Sequence, residues 1–223
     1  KESLVDRPHG HIMQAAAGFT PDERIMSTTS FAFGVFNSHL TQGNTNFNTL
    51  LSVCNSQFNL SPATGQRIFV EIDGKLRLLG VPSAFESGLS NCRWIYKYGD
   101  RCFQVRTWTS VRSPQVFMDF RVLTGEGVRL LVTHDFDNLN GWKVMPGDSD
   151  DSRIIVPDKG SIIAGRFPGA RFRITARTSG TGYRECGGEI PGSGIDNQEE
   201  NLYILDVAKT TCFQLTITGE VCG

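Results

Sequence analysis

The sequence predicts an all-β protein, a large antiparallel sandwich of two sheets with few short helices. Three observations predict it. Residues 115–124 and 128–136 alternate with period two: Val116, Met118, Phe120 and Val122 share one face, and so do Val128, Leu130, Val132, His134 and Phe136. Asp73-Gly74 sits between two apolar runs and supplies the positive φ angles of a tight hairpin. Finally, about a dozen strand-like segments recur with no sustained helical period, and that many strands bury their apolar faces only as a sandwich or barrel. The segments are long and most turns short, which favours the sandwich.

In chain order, residues 1–30 are mixed. His9-Gly10-His11 puts two imidazoles close together. A metal site needs three or four ligands, and no Cys or carboxylate is patterned nearby, so this reads as a polar entry segment without metal. Thr20-Pro21-Asp22-Glu23 has the form of a helix start, cut short by Ser27-Thr28-Thr29-Ser30. Residues 31–36 read as a strand, 37–48 as a loop, 49–54 as a strand and 58–65 as a loop. The hairpin of residues 66–72 and 75–80 follows. Residues 91–98 form a strand, and Gly99-Asp100 turns into three more, 101–110, 115–124 and 128–136. Their connections, 111–114 and 125–127, are too short for a parallel crossover, so the three are expected to pair in sequence as an antiparallel meander. Residues 137–152 are polar and turn-rich. Short strands are expected at 153–156 and 161–164. Residues 170–176 alternate Arg171, Arg173 and Thr175 against Phe172 and Ile174. A long Gly-rich loop spans 179–198, and strands at 201–207 and 212–221 close the chain.

Composition excludes several function classes. The formal net charge is -1, so the basic excess that drives nucleic-acid binding is missing. No apolar run approaches the roughly 20 residues of a membrane span. Asp148-Ser149-Asp150-Asp151 lacks the ligand run and closing Glu of an EF-hand. The Gly-rich loop has no Gly-Lys-Ser/Thr, hence no P-loop, and Gly192-Ser193-Gly194 is not set between a strand and a helix as a nucleophile elbow requires. No cofactor is implied. None of the six cysteines forms a Cys-x-x-Cys pair. A core of this size needs no disulfide, so reduced cysteines and a cytoplasmic location are expected. The chain lacks an initiator Met. We therefore expect residues 1–223 to be a single sandwich domain excised from a longer protein.

Two groups of residues carry the candidate chemistry. Residues 37–48 concentrate amides, hydroxyls and one imidazole, with Asn37, His39, Gln42, Asn44 and Asn46 as contacts. Neutral groups that both donate and accept suit sugar hydroxyls; the same residues also satisfy loop backbones. Arg106 and Trp108 share the strand face opposite Phe103, Val105 and Thr107. An indole on a polar face stacks on a sugar ring or packs against a neighbouring domain. Glu71, Asp119 and Asp135 are acid–base candidates by residue type alone.

The stretches Phe33-Gly34-Val35-Phe36-Asn37-Ser38-His39-Leu40-Thr41-Gln42-Gly43-Asn44-Thr45-Asn46-Phe47-Asn48 and Cys92-Arg93-Trp94-Ile95-Tyr96-Lys97-Tyr98 through Trp108 resemble the N-terminal region of cellobiose-phosphorylase-like proteins of glycoside hydrolase family 94, within them the 1,2-β-oligoglucan phosphorylases. That resemblance implies a galactose-mutarotase-like supersandwich packed on a catalytic (α/α)6 barrel of the same parent chain. The barrel would hold the catalytic machinery, so no catalytic residue is assigned here. The domain would be inactive alone, with a β-glucan oligosaccharide as the carbohydrate partner. A free-standing carbohydrate-binding module is one alternative. A mutarotase-like epimerase using His134 or His39 with Glu71 is another.

Overall fold

The computed structural model describes residues 11–14, 28–31, 39–42, 65–80, 82–87, 91–109, 115–135, 142–149, 152–160, 164–165, 168–180, 182–187 and 202–221. Sixteen strands lie in them: β1 (His11–Gln14), β2 (Thr28–Phe31), β3 (His39–Gln42), β4 (Gly65–Ile72), β5 (Lys75–Leu78), β6 (Ala84–Ser87), β7 (Asn91–Tyr98), β8 (Arg101–Thr109), β9 (Gln115–Thr124), β10 (Val128–Asp135), β11 (Trp142–Pro146), β12 (Ser152–Pro157), β13 (Ala170–Thr178), β14 (Tyr183–Gly187), β15 (Leu202–Thr210) and β16 (Cys212–Val221). They form a nine-stranded sheet, β1-β6-β7-β8-β9-β16-β13-β12-β11, a five-stranded sheet, β14-β15-β10-β4-β5, and the β2-β3 pair. The two larger sheets make the expected antiparallel sandwich.

Alternation builds the core. Trp94, Tyr96, Phe103, Val105, Met118, Phe120, Phe172, Phe213 and Leu215 of the large sheet pack in one cluster with Ile68, Val70, Leu130, Val132 and Leu205 of the small one. Each such side chain taken from water contributes about 1.5–3 kcal/mol. The small sheet is buried on its other face too, where Phe69, Leu131 and Ile204 form a second cluster. The outer face of the large sheet is polar. Tight turns follow their local chemistry: Asp73 and Gly74 take φ of 53° and 73°, as the hairpin between β4 and β5 requires.

The expected meander of three strands is corrected. β8 pairs with β9, but β9 pairs next with β16, while β10 belongs to the small sheet between β4 and β15. Residues 125–127 therefore turn a sandwich corner rather than a hairpin. Three residues span up to about 10 Å, the usual gap between packed sheets. Gly125 (φ 102°) takes a conformation that side chains disfavour. A Cβ on Gly127 would sit 3.2 Å from the Thr210 backbone. That neighbour is itself a corner: β15 ends at Thr210 in the small sheet and β16 starts at Cys212 in the large one. The two chain crossings lie side by side, with β9 beside β16 above and β10 beside β15 below.

Other differences are local. Residues 39–42, expected within a loop, form β3 and pair with β2, which lies where Thr28-Thr29-Ser30 was expected to stop a helix. β-Branched and hydroxyl side chains favour strand over helix there. The polar stretch 137–152 contains edge strand β11, and the Gly-rich loop contains edge strand β14. The helix start at Thr20 lies outside the described residues. No helix among the described residues is long and apolar enough to cross a membrane.

Candidate functional site

The outer face of the large sheet gathers its polar groups by register. Cross-strand partners put Glu86, Arg93, Arg106, Asp119, Gln214 and Arg177 in one row across six strands. The adjacent row places Asn91, Trp108 and Phe117 side by side. Arg106 and Trp108 thus face outward, as their alternation with buried Phe103, Val105 and Thr107 predicts.

Their surroundings were not apparent in the sequence. The Trp108 indole stacks on the Phe117 ring, with centroids 5.1 Å apart and planes 15° apart. The Arg106 guanidinium lies over the same indole, 4.4 Å from its centroid. The same guanidinium donates to Asp119 Oδ2 at 3.2 Å, and Arg121 Nε donates to that oxygen at 3.1 Å. Asp119 is only 2% exposed. Its Oδ1 and the Nε of Arg106 are buried and have no hydrogen-bond partner among the described residues. Residue type alone marks Asp119 in the sequence, and no local pattern marks Phe117 or Arg121.

A second arginine–carboxylate cluster lies on the outer face of the small sheet. Arg129 clamps Asp206 through Nε to Oδ1 and Nη2 to Oδ2, at 2.9 and 3.0 Å, and also donates to Glu71 at 3.2 Å. Arg184 donates twice to Asp206 Oδ2, at 2.9 and 2.7 Å. The hydrogen bond from Arg129, then that from Arg184, holds the Asp206 carboxyl below its ordinary value against the opposing effect of burial. An open cleft of about 510 Å³ beside it is lined by Arg129, Gly182, Tyr183, Arg184 and Lys209. Here the acids and bases answer one another: Lys209 pairs with Glu126. A third clamp joins Arg171 and Arg173 to Glu220.

His134 faces the core. It is wholly buried, hydrogen-bonded to Gln66 at 2.8 Å, with Tyr203 6.0 Å away. Burial lowers its pKa to about 3, so the imidazole is neutral. Glu71 points to the opposite face of the same sheet, toward Arg129. The pairing of His134 with Glu71 for epimerase chemistry is therefore corrected: the pleat separates them. Of the amide-rich group, His39 and Gln42 fall on β3, whose side chains are not described, and Asn37, Asn44 and Asn46 lie outside the described residues. Cys92, Cys102 and Cys212 are free thiols. Asp148 pairs with Arg173. Among the described residues, no three His, Cys, Asp or Glu side chains gather as a metal site.

Comparison with known proteins adds three findings. The sequence profile of the glycoside phosphorylase supersandwich domain matches residues 1–219. A 1,2-beta-oligoglucan phosphorylase of Listeria innocua serovar 6a is 30% identical over 177 residues, 78% of this chain and 16% of that protein. The chain thus spans about a sixth of that relative's length. Among solved structures, a polysaccharide lyase is similar with a TM-score of 0.47 at 11% identity, covering 99% of this chain and 34% of that one. A putative kojibiose phosphorylase from the human microbiome gives 0.40 at 10% identity, with 87% and 26% covered.

Proposed function

The chain belongs to the glycoside phosphorylase supersandwich domain family, and from that premise we propose that it is the non-catalytic sandwich domain of a phosphorylase acting on β-linked gluco-oligosaccharides. In this reading it packs on a catalytic (α/α)6 barrel of the same protein, shapes that barrel's substrate cleft and resides in the cytoplasm. The observation that carries it is one of proportion. The family profile covers residues 1–219, and the alignment to an oligoglucan phosphorylase covers 78% of this chain yet 16% of that protein, as one domain of a larger enzyme does. The free thiols Cys92, Cys102 and Cys212 agree with a reducing compartment.

The described residues support a scaffold role. The one buried imidazole described is neutral and turned inward, and the clamped carboxylates are engaged by arginines. The test compares the full-length gene product with the 223-residue chain, each given β-1,2-glucan oligosaccharides and inorganic phosphate. The first should release glucose 1-phosphate and the second none. Release by the chain alone would overturn the reading.

A further inference from the structure

We propose that the outer face of the large sheet holds a sugar-binding site gated by Arg106, where a pyranose replaces the guanidinium over Trp108 and donates a hydroxyl hydrogen bond to Asp119. The ligand class, a β-1,2-linked gluco-oligosaccharide, rests on the reading above; the site itself rests on geometry.

Asp119 carries the first part. A carboxylate oxygen that is buried and lacks a donor is costly, and such groups call for an explanation. Both neighbouring arginines crowd onto Oδ2 and leave Oδ1 without a donor among the described residues. A sugar hydroxyl is a donor of the right size.

Trp108 carries the second. Its ring is parallel to Phe117 on one side, so the guanidinium 4.4 Å from the centroid occupies the other. Phe117 is held in the sheet, whereas the Arg106 side chain is 39% exposed, so its guanidinium has water on one side to turn into. One rotation of Arg106 uncovers an aromatic face and opens the way to a buried acceptor. A pyranose needs that pair: its C–H face stacks on the indole while a hydroxyl reaches the carboxylate. Arg121 remains on Oδ2 and keeps the charge of Asp119 compensated. The Asp206 cluster has neither an indole nor an unused oxygen, so it is not a second copy of this site.

Calorimetric titration of the 223-residue chain with β-1,2-linked glucotriose tests the proposal. We expect a single site, weakened at least tenfold in Asp119→Asn. Arg106→Gln should bind about threefold tighter, because an internal cover reduces apparent affinity by the fraction of time it is closed. Arg106 lies on the surface, so that variant keeps the test decisive if Asp119→Asn unfolds. No binding by the wild-type chain up to ~10 mM would overturn the site. So would affinity unchanged in Asp119→Asn, or weakened in Arg106→Gln. Each leaves the phosphorylase reading standing, since that depends on phosphorolysis by the full-length protein.

Discussion

Asp206 and Asp119 occupy matching places. Each lies on the outer face of its sheet, 6% and 2% exposed, between two arginines from different strand positions. They differ in how much of the carboxylate is used. Asp206 engages both oxygens, through bonds of 2.7–3.0 Å that join β14, β15 and β10, and Arg129 extends the network to Glu71 on β4. Among the described residues Asp119 accepts at one oxygen only, at 3.1 and 3.2 Å. A filled network braces strands. A half-filled one on an aromatic-bearing face keeps binding capacity in reserve, at some expense in stability. The small sheet, buried on both faces, carries the brace; the large sheet, with a polar outer face, carries the open site.

The largest test of this contrast is to neutralise each carboxylate. Asp206→Asn should lose about 2–3 kcal/mol, because it strands Arg129 and Arg184 beside a buried amide. The same change at Asp119 should lose about 1 kcal/mol or less, since it accepts only two longer bonds, both at one oxygen, from half-exposed arginines. Urea unfolding measures both, and equal losses would erase the distinction. The pH dependence follows in sign. The Asp206 carboxyl titrates below its ordinary value of 3.8, so its contribution is complete above that pH and is lost as pH falls through the lower folded value. Asp206→Asn should remove that part of the acid limb.

The next effect separates faces from core. His134 is neutral when folded, with its pKa lowered from 6.5 to about 3. The unfolded chain takes up a proton near the ordinary value, and the folded chain does not until far lower. Stability therefore falls as pH drops below about 6.5, by roughly 2 kcal/mol on reaching pH 5. The Asp206 contribution is lost only at lower pH, below its ordinary value, so the two losses occupy different windows. His134→Gln should flatten the upper window and leave the lower one. A profile still steep between pH 6.5 and 5 in that variant would assign the loss elsewhere.

Much of this was readable from residues. The alternation in 101–109 and 115–124 fixes strands, inner faces and the outward direction of Arg106 and Trp108, because side-chain direction on a strand is local. Asp73-Gly74 marks its hairpin for the same reason. Sheet membership is not local. A three-residue link such as 125–127 serves a hairpin or a corner equally well, and only the pairing of β9 with β16 and β10 with β15 decides between them. The Asp119 cluster is not legible in the sequence on similar grounds. Arg106 and Asp119 are 13 positions apart, and they meet because β8 and β9 pair in one register; a slip of one residue would turn Asp119 inward. Short edge strands such as β11 and β14 carry too few alternating positions to stand out from the turns around them.

The smallest effect probes the exposed arms. Arg184 and Arg121 are 69% and 53% exposed, and each reaches a buried carboxylate from solvent. Exposed ion pairs are worth about 0.2–1 kcal/mol and are screened by salt. Arg184→Ala removes two of the four bonds on Asp206 and should fall near the top of that range. Arg121→Ala removes one bond from an oxygen that Arg106 still serves, and should fall near the bottom. Raising the salt from ~0.05 to ~0.5 M should shrink the first loss markedly and the second hardly at all. If Arg121→Ala were instead the more damaging, Asp119 would be the brace and the assignment of closed and open clusters would reverse.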